Sequence, residues 1–165
     1  MRKAKGFSLI ELLIVVAIIL IIMAIAVPNF LRSRLQANES AAVGALRTLN
    51  TAQVSYNSTY PTVGFATTLN SLGDGGTATN CGATTAPTST NACLIDSALE
   101  TGTKSGYSFA LSGATGTPTA TYQLISSPIQ PGTTGNRYFC SFADAVVRVS
   151  MTAITTCDNT VSAQQ

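Results

Sequence analysis

Histidine and tryptophan are absent from this 165-residue chain, and Asp, Glu, Lys and Arg together make up only 10% of it. The lack of histidine removes every nucleophile–base pair and every metal site that depends on imidazole. The scarcity of cations removes a phosphate-binding face. Past the first six residues only Arg32, Arg34 and Arg47 lie near one another, and they read as decoration of a helix. No Gly-rich loop leads into the lysine of a phosphate cradle. Asp74, Asp96, Glu100, Asp144 and Asp158 show no paired spacing that separates them from solvated loop acids. The chain therefore reads as a non-enzyme with no cofactor and no direct nucleic-acid site.

What the chain does have is an apolar run from Phe7 to Val27, interrupted by a single charge at Glu11. At roughly 1.5 Å per residue these 21 residues reach about 31 Å as a helix, enough to cross a hydrocarbon layer of about 30 Å. An ionised acid near a bilayer centre costs on the order of 2.5–3.5 kcal/mol, which makes Glu11 a functional candidate. A plainer reading is that it complements the helix dipole one turn from the start, or snorkels to the headgroups. Ahead of the run, Met1-Arg2-Lys3-Ala4-Lys5-Gly6 carries three cations. The positive-inside rule keeps this head in the cytoplasm and the remainder of the chain outside.

Gly6 followed by Phe7-Ser8-Leu9-Ile10-Glu11-Leu12-Leu13-Ile14-Val15-Val16 resembles the class III leader junction of type IV pilins and type II secretion pseudopilins. The resemblance implies cleavage after Gly6 by a prepilin peptidase, methylation of the new amino-terminal Phe7, and pairing of Glu11 with a neighbouring subunit's N-terminal amine. Removal of Arg2, Lys3 and Lys5 would leave six Lys plus Arg against seven Asp plus Glu, a side-chain charge of about −1 instead of +2. A competing site, Ala24-Ile25-Ala26, has the small-x-small pattern of ordinary secretory cleavage. Phe7 to Met23 is, however, longer than the usual signal core and carries a charge that a signal peptide does not use.

Pro28 removes a backbone donor and predicts a kink, since helical spacing resumes beyond it. Leu31, Leu35, Ala42, Leu46, Leu49 and Tyr56 form an apolar stripe with Arg32, Arg34, Gln36, Glu39, Arg47 and Gln53 largely between them, so an amphipathic helix is expected to about Asn57. Pro61 marks its limit. From Ser58 the chain turns rich in Thr, Ser, Gly and Asn. Thr77 to Thr90 is expected to be a surface loop, with a short helix near Asp96 to Glu100. Asn38-Glu39-Ser40 and Asn57-Ser58-Thr59 satisfy the glycosylation sequon, a pattern common by chance. Four segments have β character: residues 106–111, 121–125, 137–142 and 146–151. The expected organisation is a leader over 1–6, a transmembrane or filament-core helix over 7–27, its amphipathic continuation over 28–57, and an exterior globular domain over 58–165. The fold class is α+β, with one long helix packed on an antiparallel sheet of about four strands. That order resembles the pilin architecture over nearly the whole chain.

Cys81, Cys93, Cys140 and Cys157 all follow the apolar run, on the side where oxidation is available, and read as two disulfides. No C-x-x-C pair suggests zinc, and no metal is expected. Three connectivities are open. Pairing Cys81 with Cys93 and Cys140 with Cys157 closes short loops across turn-rich sequence and is the expected one. The second of these falls where pilins are commonly stapled. The function implied by the resemblance is a structural subunit of a type IV pilus, inserted in the bacterial inner membrane with its N-terminus in the cytoplasm. It would polymerise with identical subunits through its N-terminal helix, served by prepilin peptidase and inner-membrane assembly machinery, into an extracellular or periplasmic filament for adhesion, twitching motility or DNA uptake. The alternative is a pseudopilin driving protein export. Major pseudopilins resemble one another in a calcium-binding C-terminal region, and this chain has no acidic cluster there. A monomeric exterior domain on a membrane anchor would instead keep the Gly6–Phe7 junction intact.

Overall fold

The computed structural model describes residues 7–76, 81 and 86–164. The chain falls into two compact units, Met1–Arg34 and Leu35–Gln165. Helix α1, Leu9–Thr59, has 51 residues and contains Pro28. With no N–H at Pro28, the Ala24 carbonyl lacks its usual donor four residues on, yet the helix continues. The sequence predicted the end near Asn57, two residues short.

In the second unit, α1 contributes Glu39, Ala42, Leu46, Leu49, Gln53 and Tyr56 to the interior, alternating steps of three and four residues that keep one face inward. The outer positions of the expected stripe differ. Leu31 is exposed and Leu35 only half-buried, while Glu39 and Gln53, expected on the polar side, are 6% and 0% exposed. Spacing identified the face correctly; side-chain polarity misdirected the assignment, because both groups are buried with their hydrogen bonds made. The Gln53 amide accepts from the Ala66 N–H at 2.9 Å and donates to the Ala66 carbonyl at 3.0 Å, standing in for a paired backbone.

The sheet has five antiparallel strands in sequential order: β1 Thr103–Lys104, β2 Tyr107–Thr115, β3 Thr121–Pro128, β4 Tyr138–Phe142 and β5 Arg148–Ser150. The fold is α+β with a pilin-like layout, one long N-terminal helix and one antiparallel sheet. β1 was not predicted, since two residues carry no readable alternation. It forms because Ser105 and Gly106, both at positive φ (50° and 76°), make the tight turn whose twist suits a two-residue hairpin. Tyr107, Phe109, Tyr122, Leu124 and Phe139 share one apolar cluster with Ala42, Leu46, Leu49, Ala52 and Tyr56 of the helix. The alternation of Tyr107/Phe109 and Tyr122/Leu124 thus faces inward as the sequence implies. Two short helices complete the unit. Helix α2, Leu69–Leu72, is capped by Thr68 and was not foreseen, whereas α3, Ser97–Glu100, begins where Asp96 accepts from the Leu99 N–H at 2.8 Å.

Both disulfides close within this unit, Cys81 to Cys93 and Cys140 to Cys157. Most of the expected loop of residues 77–90, namely 77–80 and 82–85, lies outside the described residues. Cys140 and Cys157 are both buried, and their bridge ties β4 to the segment that follows β5. That segment returns along β5: Val149 N–H donates to the Ser162 carbonyl and Gln164 N–H to the Val147 carbonyl, each at 2.9 Å. Replacing Cys140 and Cys157 together by serine should lower stability by about 2–5 kcal/mol in urea unfolding of the detergent-solubilised chain. The same change at Cys81 and Cys93, where Cys81 is exposed, should cost less. Equal midpoints for the two double variants would contradict this ranking.

Candidate assembly site on the N-terminal helix

In the first unit every described residue is exposed. The 16 large apolar side chains between Phe7 and Val27 range from 46% exposed at Val16 to 79% at Leu9. At about 2 kcal/mol each, keeping them in water would cost on the order of 30 kcal/mol. Helix α1 is long and apolar enough here to cross a membrane by length and composition. Phe7 and Ser8 precede the helix, and Gly6, the expected cleavage residue, lies outside the described residues together with the rest of the basic head.

Glu11 has a local task. Its Oε2 accepts from the Ser8 N–H at 2.9 Å, the reciprocal half of a Ser-x-x-Glu capping box at the first turn of α1. This satisfies one of the amides that a helix start leaves unpaired. Among the described residues Oε1 has no hydrogen-bond partner, so the carboxylate can cap the helix and still receive a cation. A helix-dipole role was the plainer of the two sequence readings of this acid, and the reach back to Ser8 is the specific form it takes; the pairing with a neighbour's amine is a separate matter.

Of the acids read as solvated loop residues, Glu100 departs from that reading, while Asp96, Asp144 and Asp158 are exposed. Glu100 is buried, and its two carboxylate oxygens accept from the Asp74 and Gly76 amides at 3.1 and 2.6 Å. Asp144 pairs with the buried Arg148 at 2.7 Å, and Asp96 with Lys104 at 2.6 Å. Glu39 has the densest set of partners. Oε1 accepts from the Asn136 and Arg137 amides at 2.9 and 3.2 Å, and Oε2 from Arg137 Nε at 2.7 Å. Burial pushes its pKa up, but the amide bonds and the guanidinium outweigh that and hold it below its ordinary 4.5. Beside it, Tyr107 donates to the Arg137 carbonyl at 2.9 Å, and burial pushes its phenol up to about 12. Any side chain at Gly135 would collide with the Tyr107 ring, so the loop before β4 lies directly on that ring. These groups position strands and lack the open geometry of a reactive site. Among the described residues no group of three or more His, Cys, Asp or Glu could hold a metal.

Residues 1–27 match the prokaryotic N-terminal methylation motif. Over 46 residues the chain is 54% identical to a type IV wide pilus major component, PilA4, of Thermus thermophilus, a stretch covering 28% of this chain and 35% of that protein. Over 54 residues it is 52% identical to the type IV major pilin protein PilA of Myxococcus xanthus, covering 33% of this chain and 24% of the relative. The chain thus spans about a third and about a quarter of these two pilins. No solved structure matches it. The methylation motif contains the whole apolar run, with Glu11 and its cap inside it.

The Glu39 cluster gives a pH prediction. A carboxylate with a depressed folded pKa contributes stability that is fully present above its unfolded value of 4.5 and is lost as pH falls through the lower folded value. Unfolding midpoints should therefore decline below about pH 5. Glu39→Gln should flatten that decline and cost about 1–3 kcal/mol at neutral pH. An unchanged pH profile in the variant would remove Glu39 from the account.

Proposed function

We propose that this chain is the precursor of a structural subunit of a type IV pilus, cleaved after Gly6 and N-methylated at Phe7. The observation that carries this reading is the exposed apolar stretch of α1 inside the methylation motif. Its side chains cannot remain in water at the cost given above, so the subunit passes only from lipid into another apolar environment. A bundle of the same stretch from neighbouring subunits is such an environment, and a homopolymer follows. Both curated relatives are named as pilus components, which favours a pilus over a secretion pseudopilus. In this reading residues 1–6 are the cytoplasmic leader and 7–27 the span and later filament core. Residues 28–57 carry the helix, kinked at Pro28, into an exterior domain of 58–165. Adhesion, twitching motility and DNA uptake are the candidate uses of the filament.

Glu11 sets the step from lipid to filament. Within a bundle its charge must be neutralised, and the methylated amine of Phe7 on an adjacent subunit keeps its positive charge and suits Oε1. The pair would remove a buried charge and fix axial register at once. Intact mass of the surface-sheared fraction tests the processing: the mature chain should begin at Phe7 with one added methyl group, and a chain beginning at Val27 or retaining Met1 would overturn the reading. Filaments confined to the periplasm would point to the pseudopilus instead.

Two substitutions separate the two tasks of Glu11. Glu11→Gln keeps an acceptor for the Ser8 N–H but loses the charge, whereas Glu11→Ala loses both. Both variants should insert stably and yield at least about tenfold fewer filaments, consistent with loss of a buried pair worth about 3–5 kcal/mol. If Glu11→Gln assembles like the parent protein, helix capping is the whole of its role.

A further inference from the structure

Just beyond the apolar run, α1 carries Phe30 and Leu31, 68% and 51% exposed, and then two exposed cations, Arg32 and Arg34. Among the described residues neither arginine pairs with a carboxylate. No acid occurs between Glu11 and Glu39, so none stands three or four positions away on the helix. Glu39 itself is occupied by Arg137 and two amides. Among the described residues the ion pairs are Lys104–Asp96, Arg137–Glu39 and Arg148–Asp144, and none involves Arg32 or Arg34. Both side chains are on offer to an anion outside the chain.

Helix geometry places that anion. If Val27 ends the hydrocarbon span, as the reading above has it, Arg32 and Arg34 begin about 7.5 and 10.5 Å further along the axis. The polar layer of a bilayer is about 5–7 Å deep on each side. Helical side chains lean toward the helix N-terminus, which here is the membrane side, so both guanidinium groups reach back into the headgroups. Phe30 would lie shallower in the same layer, where aromatic rings concentrate. Two positions at 3.6 residues per turn are about 200° apart, so the arginines leave opposite sides of the helix and cannot share one anion. A planar guanidinium matches a phosphate with two parallel N–H···O bonds.

We infer that Arg32 and Arg34 form a two-sided anchor that binds the phosphates of two phospholipid headgroups on the exterior leaflet and fixes the depth of the precursor in the membrane. The inference rests on the membrane-inserted reading of residues 7–27. Assembly then has to break two lipid contacts as well as move the apolar run.

The test uses the full-length chain in an Arg2→Lys background, with arginine Cζ labelled by carbon-13, in vesicles of phosphatidylethanolamine and phosphatidylglycerol in phosphate-free buffer. Guanidinium–phosphate bonds of about 2.7–2.9 Å put Cζ about 4 Å from lipid phosphorus, within reach of carbon–phosphorus dipolar dephasing in solid-state NMR. The dephasing should be present in the parent chain and fall by more than half in Arg32→Gln/Arg34→Gln. Flotation of the vesicles after alkaline carbonate washing reports insertion independently. A chain that floats without dephasing overturns the anchor and leaves the membrane reading standing. Dephasing that survives in the double variant, or a photo-crosslinker at residue 32 that captures a second copy in place of lipid, also overturns it. A chain that does not float removes the membrane reading and the anchor with it.

Discussion

The incompatibility of one helical stretch with water governs the rest. From Phe7 to Val27 the chain presents large apolar side chains on every side of the helix, so no rotation of that helix hides them. A globular partner would cover one stripe; only a surrounding medium covers all of them. Lipid is one such medium and a packed bundle of like helices another. The choice between them turns on small polar terms, because the large apolar term nearly cancels on transfer. In the proposed assembly, that would let a single carboxylate at Glu11 control the outcome even though its contribution is a small fraction of the hydrophobic total.

The second unit solves a different problem. Its apolar core is modest and its strands are short, so polar groups of α1 do much of the fastening. Asn50 is fully engaged, donating to Ser141 Oγ at 2.9 Å and to the Ala145 carbonyl at 3.2 Å while accepting from the Tyr122 hydroxyl at 3.1 Å. With Gln53 and Glu39 it forms a row of buried side chains along the helix, each satisfied by backbone, hydroxyl or guanidinium groups from other parts of the unit. Such groups are costly when half-satisfied and specific when complete, so they define the register of helix on sheet more sharply than apolar contact does. The Cys140–Cys157 disulfide ties β4, which the row reaches at Ser141, to the segment after β5, which it does not.

Much of this was legible in the sequence. The apolar run, the basic head and the Gly6–Phe7 junction are local patterns, and the period of α1 and the alternation of β2 and β3 are strong because each has several repeats. What could not be read depends on residues far apart in the chain. Glu39 and Gln53 look like solvent-facing positions until Arg137 and Ala66 are brought beside them, nearly a hundred and thirteen positions away respectively. Glu100 looks like an ordinary loop acid until the Asp74 and Gly76 amides converge on it. The Ser8–Glu11 cap was within reach, since Ser-x-x-Glu at the start of an apolar helix is itself a signature. Strand β1 was not, because it exists only through its pairing with β2.

The C-terminal segment along β5 has a consequence if the chain packs into the proposed filament at very high local concentration. An open sheet edge is a template, and crowded copies of a chain with one tend to join strand to strand into amyloid-like ribbons. Here one margin of the sheet is occupied by the chain's own tail through Val147, Val149, Ser162 and Gln164, while on the other the two-residue β1 covers only Tyr107 and Ser108 of β2. Self-association by backbone pairing is thereby discouraged at the β5 margin, and in the proposed filament growth there is left to surfaces that can come apart again. A filament built from such subunits could be dismantled as readily as it is extended.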